Sequence, residues 1–420
     1  MGRPYRGNGK RASGGKRKEG GKSRPRFPDG IGSAVMVNGY SMEWLGKGFD
    51  WIYPNEVVAR TGAAESGDVV NIVAKDGRHL GVGVCSDGKV AVRRFRTDAG
   101  PIDADFVKRA MNQARARRRL DEHTNAWRWV HGESDDLPGI RVDVWNCSAT
   151  IAIDHSSLQF MVPWLAEAVT ALHEVETIWQ NRRPEHNEER SAPEQGVCLY
   201  GNGDSRDVIV LEHGLRYAVR PEMGLDAGLY PDMRDLRAWL RPHWAGRRVL
   251  NTFAYTGAFS VSAAANGAQR VDTVDLAAPA IERCKANFAL NSLETEPHGF
   301  WVEDTFTALD RFRRAGEAFD VIIVDPPSFA RGPKGIWSVE KDLSRLVAGC
   351  LRVLSPGGWI LVATNQGSMS PREFQKHIQS ASLKVGRRLR LIHQGSTPHD
   401  IPAALGFPES RYLKAWVLEG

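Results

Sequence analysis

The chain has 420 residues, 42% apolar and 25% charged, the balance of a soluble globular protein with room for two or three cores. No apolar run reaches the ~18 residues of a membrane span and the basic N-terminus lacks an apolar signal core, so a cytoplasmic protein with no membrane partner is expected. Cys85, Cys147, Cys198, Cys284 and Cys350 are scattered, without a C-x-x-C pair or a histidine cluster beside them, which argues against a zinc site and a disulfide framework.

The first segment in chain order is an arm. Residues 1–26 hold ten Lys or Arg and one Glu, so they carry +9 of a chain whose net charge is +6, and the rest is −3. With so few apolar residues, "GNGKRASGGKRKEGGKSRPRF" is expected to be disordered and to touch a polyanion, nucleic acid being the best match. The arm is read as residues 1–30. A small β module is expected over 31–98, where "GDVVNIVAKDGRHLGVGVCSDGKVAVRRF" alternates strand-like runs with turns at Asp76-Gly77 and Asp87-Gly88, each read as a two-residue hairpin connection.

An α+β segment follows over 99–225. A helix is predicted over 103–124, with Phe106, Ala110 and Met111 on its apolar side. Its far half, "ARARRRLDEH", is basic, a face for solvent or for phosphate. Two hairpin pairs are then expected around a helix near 160–174, with a polar loop over 182–196.

From residue 226 the rhythm changes to strand, helix, strand. "RRVLNTFA", "RVDTVDL", "GFWVED", "FDVIIVD" and "GWILVAT" read as parallel strands with helical crossovers, and "RRLRLIHQG" with "RYLKAWVLE" as an antiparallel hairpin at one edge. The fold class is therefore α/β, a seven-stranded Rossmann-like sheet over 226–420.

In such sheets the ligand lies over the carboxyl ends of the strands. The first of these ends, "FAYTGAF", has one glycine, Gly257, where a pyrophosphate needs a glycine-rich turn, so a ligand without phosphates is expected. Asp275 follows the second strand and can accept both ribose hydroxyls of an adenosine; Asp304, after the third, could bond the adenine amino group. An adenosine without phosphates, beside a polyanion-binding arm, points to S-adenosylmethionine. The fourth strand ends in Asp325-Pro326-Pro327-Ser328-Phe329. Neither proline has an N–H, so the carbonyls and the Asp325 carboxylate form an acceptor edge for a base, on which Phe329 could stack. Taken alone, an Asp after a strand can also cap a helix, and D-P-P can simply end a strand.

The stretches "HGESDDLPGIRVD", "GLYPDMRDLR", "VLNTFAYTGAFSVSA" and "VIIVDPPSF" resemble the bacterial large-subunit ribosomal RNA methyltransferases, over about residues 33–420. The resemblance implies a PUA domain, a central α+β domain and a class I methyltransferase domain acting on ribosomal RNA. It also implies S-adenosylmethionine bound by Phe253, Tyr255, Thr256 and Gly257, by Asp275 and Asp304, and near Asp325, with Tyr230 and Arg234 closing over its methionine end. "GFDWIYPNEVV" keeps only part of the PUA entry motif. The oligomeric state, a homodimer included, is left open.

One departure stands out. The cytosine-C5 members of that family carry a cysteine after the fifth strand; here "LVATNQGSM" has Asn365. Alignment alone does not make a carbon nucleophile from cytosine. Methylation of a nitrogen, such as guanine N7, is therefore expected over cytosine C5, with Asp325, Pro326, Pro327, Phe329 and Asn365 around the base. A scaffold that binds RNA without catalysis is the reading from another class.

Overall fold

The computed structural model describes residue 27 and residues 32–62, 64–181, 196–332 and 335–420. The expected disordered arm (1–26) and nearly all of the polar loop at 182–196 lie outside them.

The first sheet contains β1 (Ala34–Val37), β2 (Trp51–Ile52), β3 (Val57–Arg60), β4 (Val69–Ala74), β5 (His79–Cys85) and β6 (Val92–Arg96), with α1 (Gly39–Gly46) after β1. Its order is β2-β6-β5-β4-β1-β3. Asp76-Gly77 and Asp87-Gly88 do turn antiparallel pairs, but within longer connections, 75–78 and 86–91, than two-residue hairpins.

Helix α2 (Ala104–Arg117) buries Val107, Ala110, Met111 and Ala114 and stops seven residues before the predicted end. The reason lies outside the helix. Arg118 turns to ψ 120 and buries its guanidinium against Asp135, which also accepts from the His131 N–H at 2.7 Å. The next sheet holds β7 (Ala126–His131), β8 (Ile140–Trp145), β9 (Ser148–Ile153), β10 (Thr177–Asn181) and β11 (Val197–Tyr200), ordered β11-β10-β9-β8-β7. It takes the place of the first hairpin pair expected here, while the second, in "VIVLEHGLRYAVRP", forms. Helix α3 (Val162–Leu172) is a crossover that brings β10 parallel to β9. The hairpin β12 (Val208–Glu212) and β13 (Leu215–Val219) stands apart from this sheet.

The last sheet holds β14 (Arg248–Thr252), β15 (Arg270–Asp275), β16 (Gly299–Val302), β17 (Phe319–Val324), β20 (Leu354–Thr364), β21 (Arg390–Gly395) and β22 (Lys414–Glu419). A short hairpin, β18 (Phe329–Gly332) and β19 (Gly335–Ser338), interrupts the numbering and was not expected. The order is β16-β15-β14-β17-β20-β22-β21, and β22 runs antiparallel to both β20 and β21 while the other pairings are parallel, so the edge hairpin stands as expected. Strand β17 has both faces buried: Ile322 and Val324 enter one core, Val321 and Ile323 the other. This is why its sequence is continuously apolar. Helices α7 (Thr305–Arg314), α8 (Val339–Leu351) and α9 (Pro371–Val385) pack on the first of these cores, and α4 (Arg234–Leu240) and α5 (Ala258–Ala265) on the second. Helix α6 (Ala278–Leu290) shares a further core with β12 and β13.

The loop between β21 and β22 crosses to the other two sheets. Phe407 packs on Phe49 and Trp51 with ring centroids 5.1 and 4.8 Å away, and the Ala404 N–H donates to Ser134 Oγ. Asp400 is fully buried; it takes a paired contact from the Arg234 guanidinium and the Arg128 N–H at 3.2 Å. Arg234→Met should leave that carboxylate buried without its counter-charge, a loss of roughly 3–5 kcal/mol. Urea unfolding should show a clearly lower midpoint for this variant, and an unchanged midpoint would refute the clamp.

Candidate functional site

The chain leaves β14 toward β15 and β16 on one side and returns to β17 on the other, so the sheet switches direction between β14 and β17. Ligands of doubly wound sheets bind above such a switch point. The loop leaving β14 is tightly wound: Phe253, Tyr255 and Gly257 all have positive φ, at 53°, 51° and 77°. Two non-glycine residues in the left-handed region cost free energy, and such strain persists where the surroundings hold it. Here the Tyr255 N–H donates to Asp275 Oδ2 at 2.8 Å, and Thr256 is buried with its hydroxyl on the Gly228 carbonyl. At Gly257 a Cβ would lie 2.1 Å from the Cys284 sulfur, so only glycine lets α6 approach the loop this closely.

Asp275 is half-buried at the end of β15, and its Oδ1 accepts from the Ala277 N–H at 2.9 Å. Each carboxylate oxygen has a second lone pair, so the group can still receive a vicinal diol. Asp304 caps α7, accepting from the Thr307 N–H and hydroxyl at 3.2 Å each. That is the helix-capping use, and a nearby ligand would have to share the carboxylate with it.

At the end of β17, burial and then the neighbouring Asp232 carboxylate push the pKa of Asp325 up to about 7. Asp232 comes from the "GLYPDMRD" stretch and accepts from the Tyr412 hydroxyl at 2.9 Å; burial and Asp232 in turn hold that phenol protonated. The two carboxylates form an acidic pair, and a cation placed beside them would be attracted and would draw Asp325 toward its charged form. Pro326 is buried and Pro327 exposed. The Pro327 carbonyl already accepts from Trp337 Nε1 at 2.7 Å, which removes part of the expected acceptor edge. The Trp337 ring lies 5.9 Å from Phe253 and 6.1 Å from Phe306, so one side chain ties three strand ends together. Phe329 sits on β18 with 49% of its surface exposed. Asn365 accepts from the Ser328 hydroxyl at 2.8 Å, which joins the loop after β20 to the Asp-Pro-Pro loop. Lys414 Nζ braces that loop on the Gln366 carbonyl at 2.6 Å.

Tyr230 is 43% exposed and its ring is 5.3 Å from that of Tyr255. Arg234, expected beside it over the ligand, instead points into the protein and is held by Asp400. Sequence reasoning missed Asp232, Trp337 and Tyr412. Asp232 lies two residues before Arg234 in the same quoted stretch and could have been singled out; the other two had no local signal.

No cysteine stands at these strand ends. Cys284 is the one that touches the site's wall, beneath Gly257, and burial pushes its thiol up to about 12. Cys85 and Cys350 are buried, and Cys147 and Cys198 belong to the strands and turns around the second sheet. Among the described residues no group of three or more His, Cys, Asp or Glu is arranged to hold a metal, and no helix is long and apolar enough to cross a membrane.

The donor set fits an adenosine bearing a cationic centre: a carboxylate for the diol on one side of the switch point and an acidic pair on the other. Comparison with known proteins agrees. Residues 176–404 match the S-adenosylmethionine-dependent methyltransferase model, and residues 36–97 a PUA-like domain. A relative from Tolumonas auensis, named ribosomal RNA large subunit methyltransferase I, is 32% identical over 378 residues, 88% of this chain and 94% of the relative. One of the same name from Shewanella denitrificans is also 32% identical, covering 87% and 94%. Among solved structures, a methyltransferase complexed with SAH is 25% identical with a TM-score of 0.84, covering 92% of this chain and 100% of that one. A SAM-dependent methyltransferase from Streptococcus mutans is 24% identical with a TM-score of 0.82 over the same shares.

Proposed function

Because the chain belongs to the S-adenosylmethionine-dependent methyltransferase family, we propose that it methylates a base of large-subunit ribosomal RNA, at a nitrogen rather than at cytosine C5. The family and cofactor follow from the matches above; the RNA comes from the relatives' names. The nitrogen rests on one observation, Asn365 bonded to Ser328 where a C5 enzyme needs a thiol.

S-adenosylmethionine, when bound, supplies an electrophilic methyl group. The chain's own part is alignment, which can contribute ~7–11 kcal/mol in such a displacement. Asp275 would hold the ribose hydroxyls against the strained loop of Phe253, Tyr255, Thr256 and Gly257. Asp325 and Asp232 would face the cationic end, with Tyr230 beside it and Asp304 on the adenine side. For the target base, Pro326 and Pro327 offer no competing N–H, Phe329 offers a stacking face worth roughly 1–3 kcal/mol, and Asn365 is held in place by Ser328. Guanine N7 already carries a lone pair in the ring plane and needs no proton removed, so this equipment is sufficient for it. A cytosine C5 would need covalent activation that no strand-end residue supplies. We further propose units at 31–98, 99–225 and 226–420, a cytoplasmic location, and phosphate contacts from the arm at 1–30.

The test is nucleoside mass spectrometry of large-subunit rRNA from cells with and without this gene. One N-methylated base should disappear on deletion, at full occupancy in the wild type. Loss of 5-methylcytidine instead would defeat the choice of nitrogen, and an unchanged rRNA would defeat the choice of substrate.

A further inference from the structure

Helix α2 divides its arginines between two tasks. Arg118 is buried on Asp135, and Arg117 reaches the same carboxylate at 2.8 Å, so both are spent on holding the helix end to the second sheet. Lys108, Arg109, Arg115 and Arg119 are treated differently. All four are exposed, and among the described residues none has a carboxylate within ion-pair distance. Lys108, Asn112 and Arg115 fall at i, i+4 and i+7, so they line one side of the helix over about 10 Å, with Arg109 and Gln113 flanking it. Val107, Ala110, Met111 and Ala114 occupy the buried side.

The surroundings make this a built surface rather than a loose set of chains. Arg115 lies over the buried Trp127 ring at 4.9 Å, which restricts its motion while the residue stays exposed. Just past the helix, the Arg119 N–H donates to His399 Nε2 at 3.2 Å, on the loop whose next residue, Asp400, grips Arg234 and the backbone of Arg128. The stripe is therefore fixed to the sheet that carries the strand-end site. Residues 27–420 are net −3, so unpaired cations gathered on one helix side are not an average of the body's surface.

We infer that the exposed side of α2, through Lys108, Arg109, Arg115 and Arg119, is a docking surface for the phosphate backbone of the RNA that the enzyme methylates. This rests on the RNA reading above. Charge complementarity selects the partner: the face offers four cations and two amides against the single exposed carboxylate of Asp105 in the first turn, and its exposed Ala116 is too small to anchor a protein or to insert into a membrane. Such contacts position an RNA without reading its sequence.

The experiment uses the full chain with Lys108, Arg109 and Arg115 all changed to Gln, which keeps helix propensity. A control variant changes Lys376 and Lys384 on α9 to Gln. Binding to a large-subunit rRNA fragment is measured from low to high salt, with S-adenosylmethionine calorimetry and steady-state methylation on the same proteins. The triple variant should lower the log–log salt slope by up to ~2, about 0.7 for each single-strand phosphate that is no longer neutralised. It should raise KM for RNA with kcat and cofactor binding unchanged, while the control keeps the wild-type slope. A wild-type slope in the triple variant, or an equal fall in the control, would overturn the surface and leave the methyltransferase reading intact. A wild-type protein that binds cofactor yet shows no salt-dependent RNA binding would instead overturn the RNA reading, and this surface with it. Binding to anionic vesicles that disappears in the triple variant while RNA binding is retained would assign the face to a membrane and refute the proposal.

Discussion

Asp275→Ala is expected to weaken S-adenosylmethionine binding between about 10- and 150-fold, the equivalent of ~1.5–3 kcal/mol for hydrogen bonds to a charged acceptor. The carboxylate has two duties that the substitution removes together. It would receive the ribose hydroxyls, and it holds the Tyr255 N–H at 2.8 Å within a loop whose Phe253 and Tyr255 are in the left-handed region. Asp275→Asn separates the two duties, since its amide oxygen can still accept from Tyr255 while the charge is gone. Its affinity should fall between those of wild type and Asp275→Ala. Calorimetry on all three proteins gives the answer, with thermal unfolding to show that each is folded. Equal affinity in wild type and Asp275→Ala would place the cofactor elsewhere.

RNA carrying 5-fluorocytosine should form no denaturation-resistant adduct with this protein. A C5 enzyme attacks C6 with a thiolate and is trapped when the fluorine blocks release; a thiol must therefore reach the base and ionise. Burial pushes Cys284 up to about 12 and raises Cys350 further, and Cys85 lies in the first sheet, its thiol also raised by burial. Cys147 and Cys198 are half-exposed but lie by the second sheet. Replacing both with Ser should leave the methylation rate within about twofold of wild type, the size of effect usual for surface changes of ±0.5 kcal/mol. An adduct that forms with wild type and vanishes with one cysteine would reverse the assignment to nitrogen.

Much of this protein is legible in its sequence. Apolar runs of five or six residues alternating with helical periods specify a parallel sheet, because a strand buried on both faces must be apolar throughout, as Val321 to Val324 are. The edge pair β21 and β22 was legible too, since no helical segment separates them. Asp275, Asp325 and Asn365 were singled out by their positions at or just after strand ends, the edge of a doubly wound sheet over which ligands bind, and the structure places them at those ends. What could not be read were partners distant in the chain. Arg234 and Asp400 are 166 residues apart, so nothing near Arg234 shows that its charge is already engaged. Trp337 reaches Pro327 only through a hairpin that sequence periodicity did not mark. In and just after α2, Arg115, Arg117, Arg118 and Arg119 look alike in one basic run; only the packing against Asp135, Trp127 and His399 separates the two arginines paired with a carboxylate, Arg118 buried and Arg117 at the surface, from those left without one. Local sequence carries propensity and periodicity, which are short-range, whereas the pairing of buried charges is decided by which surfaces the folded chain brings together.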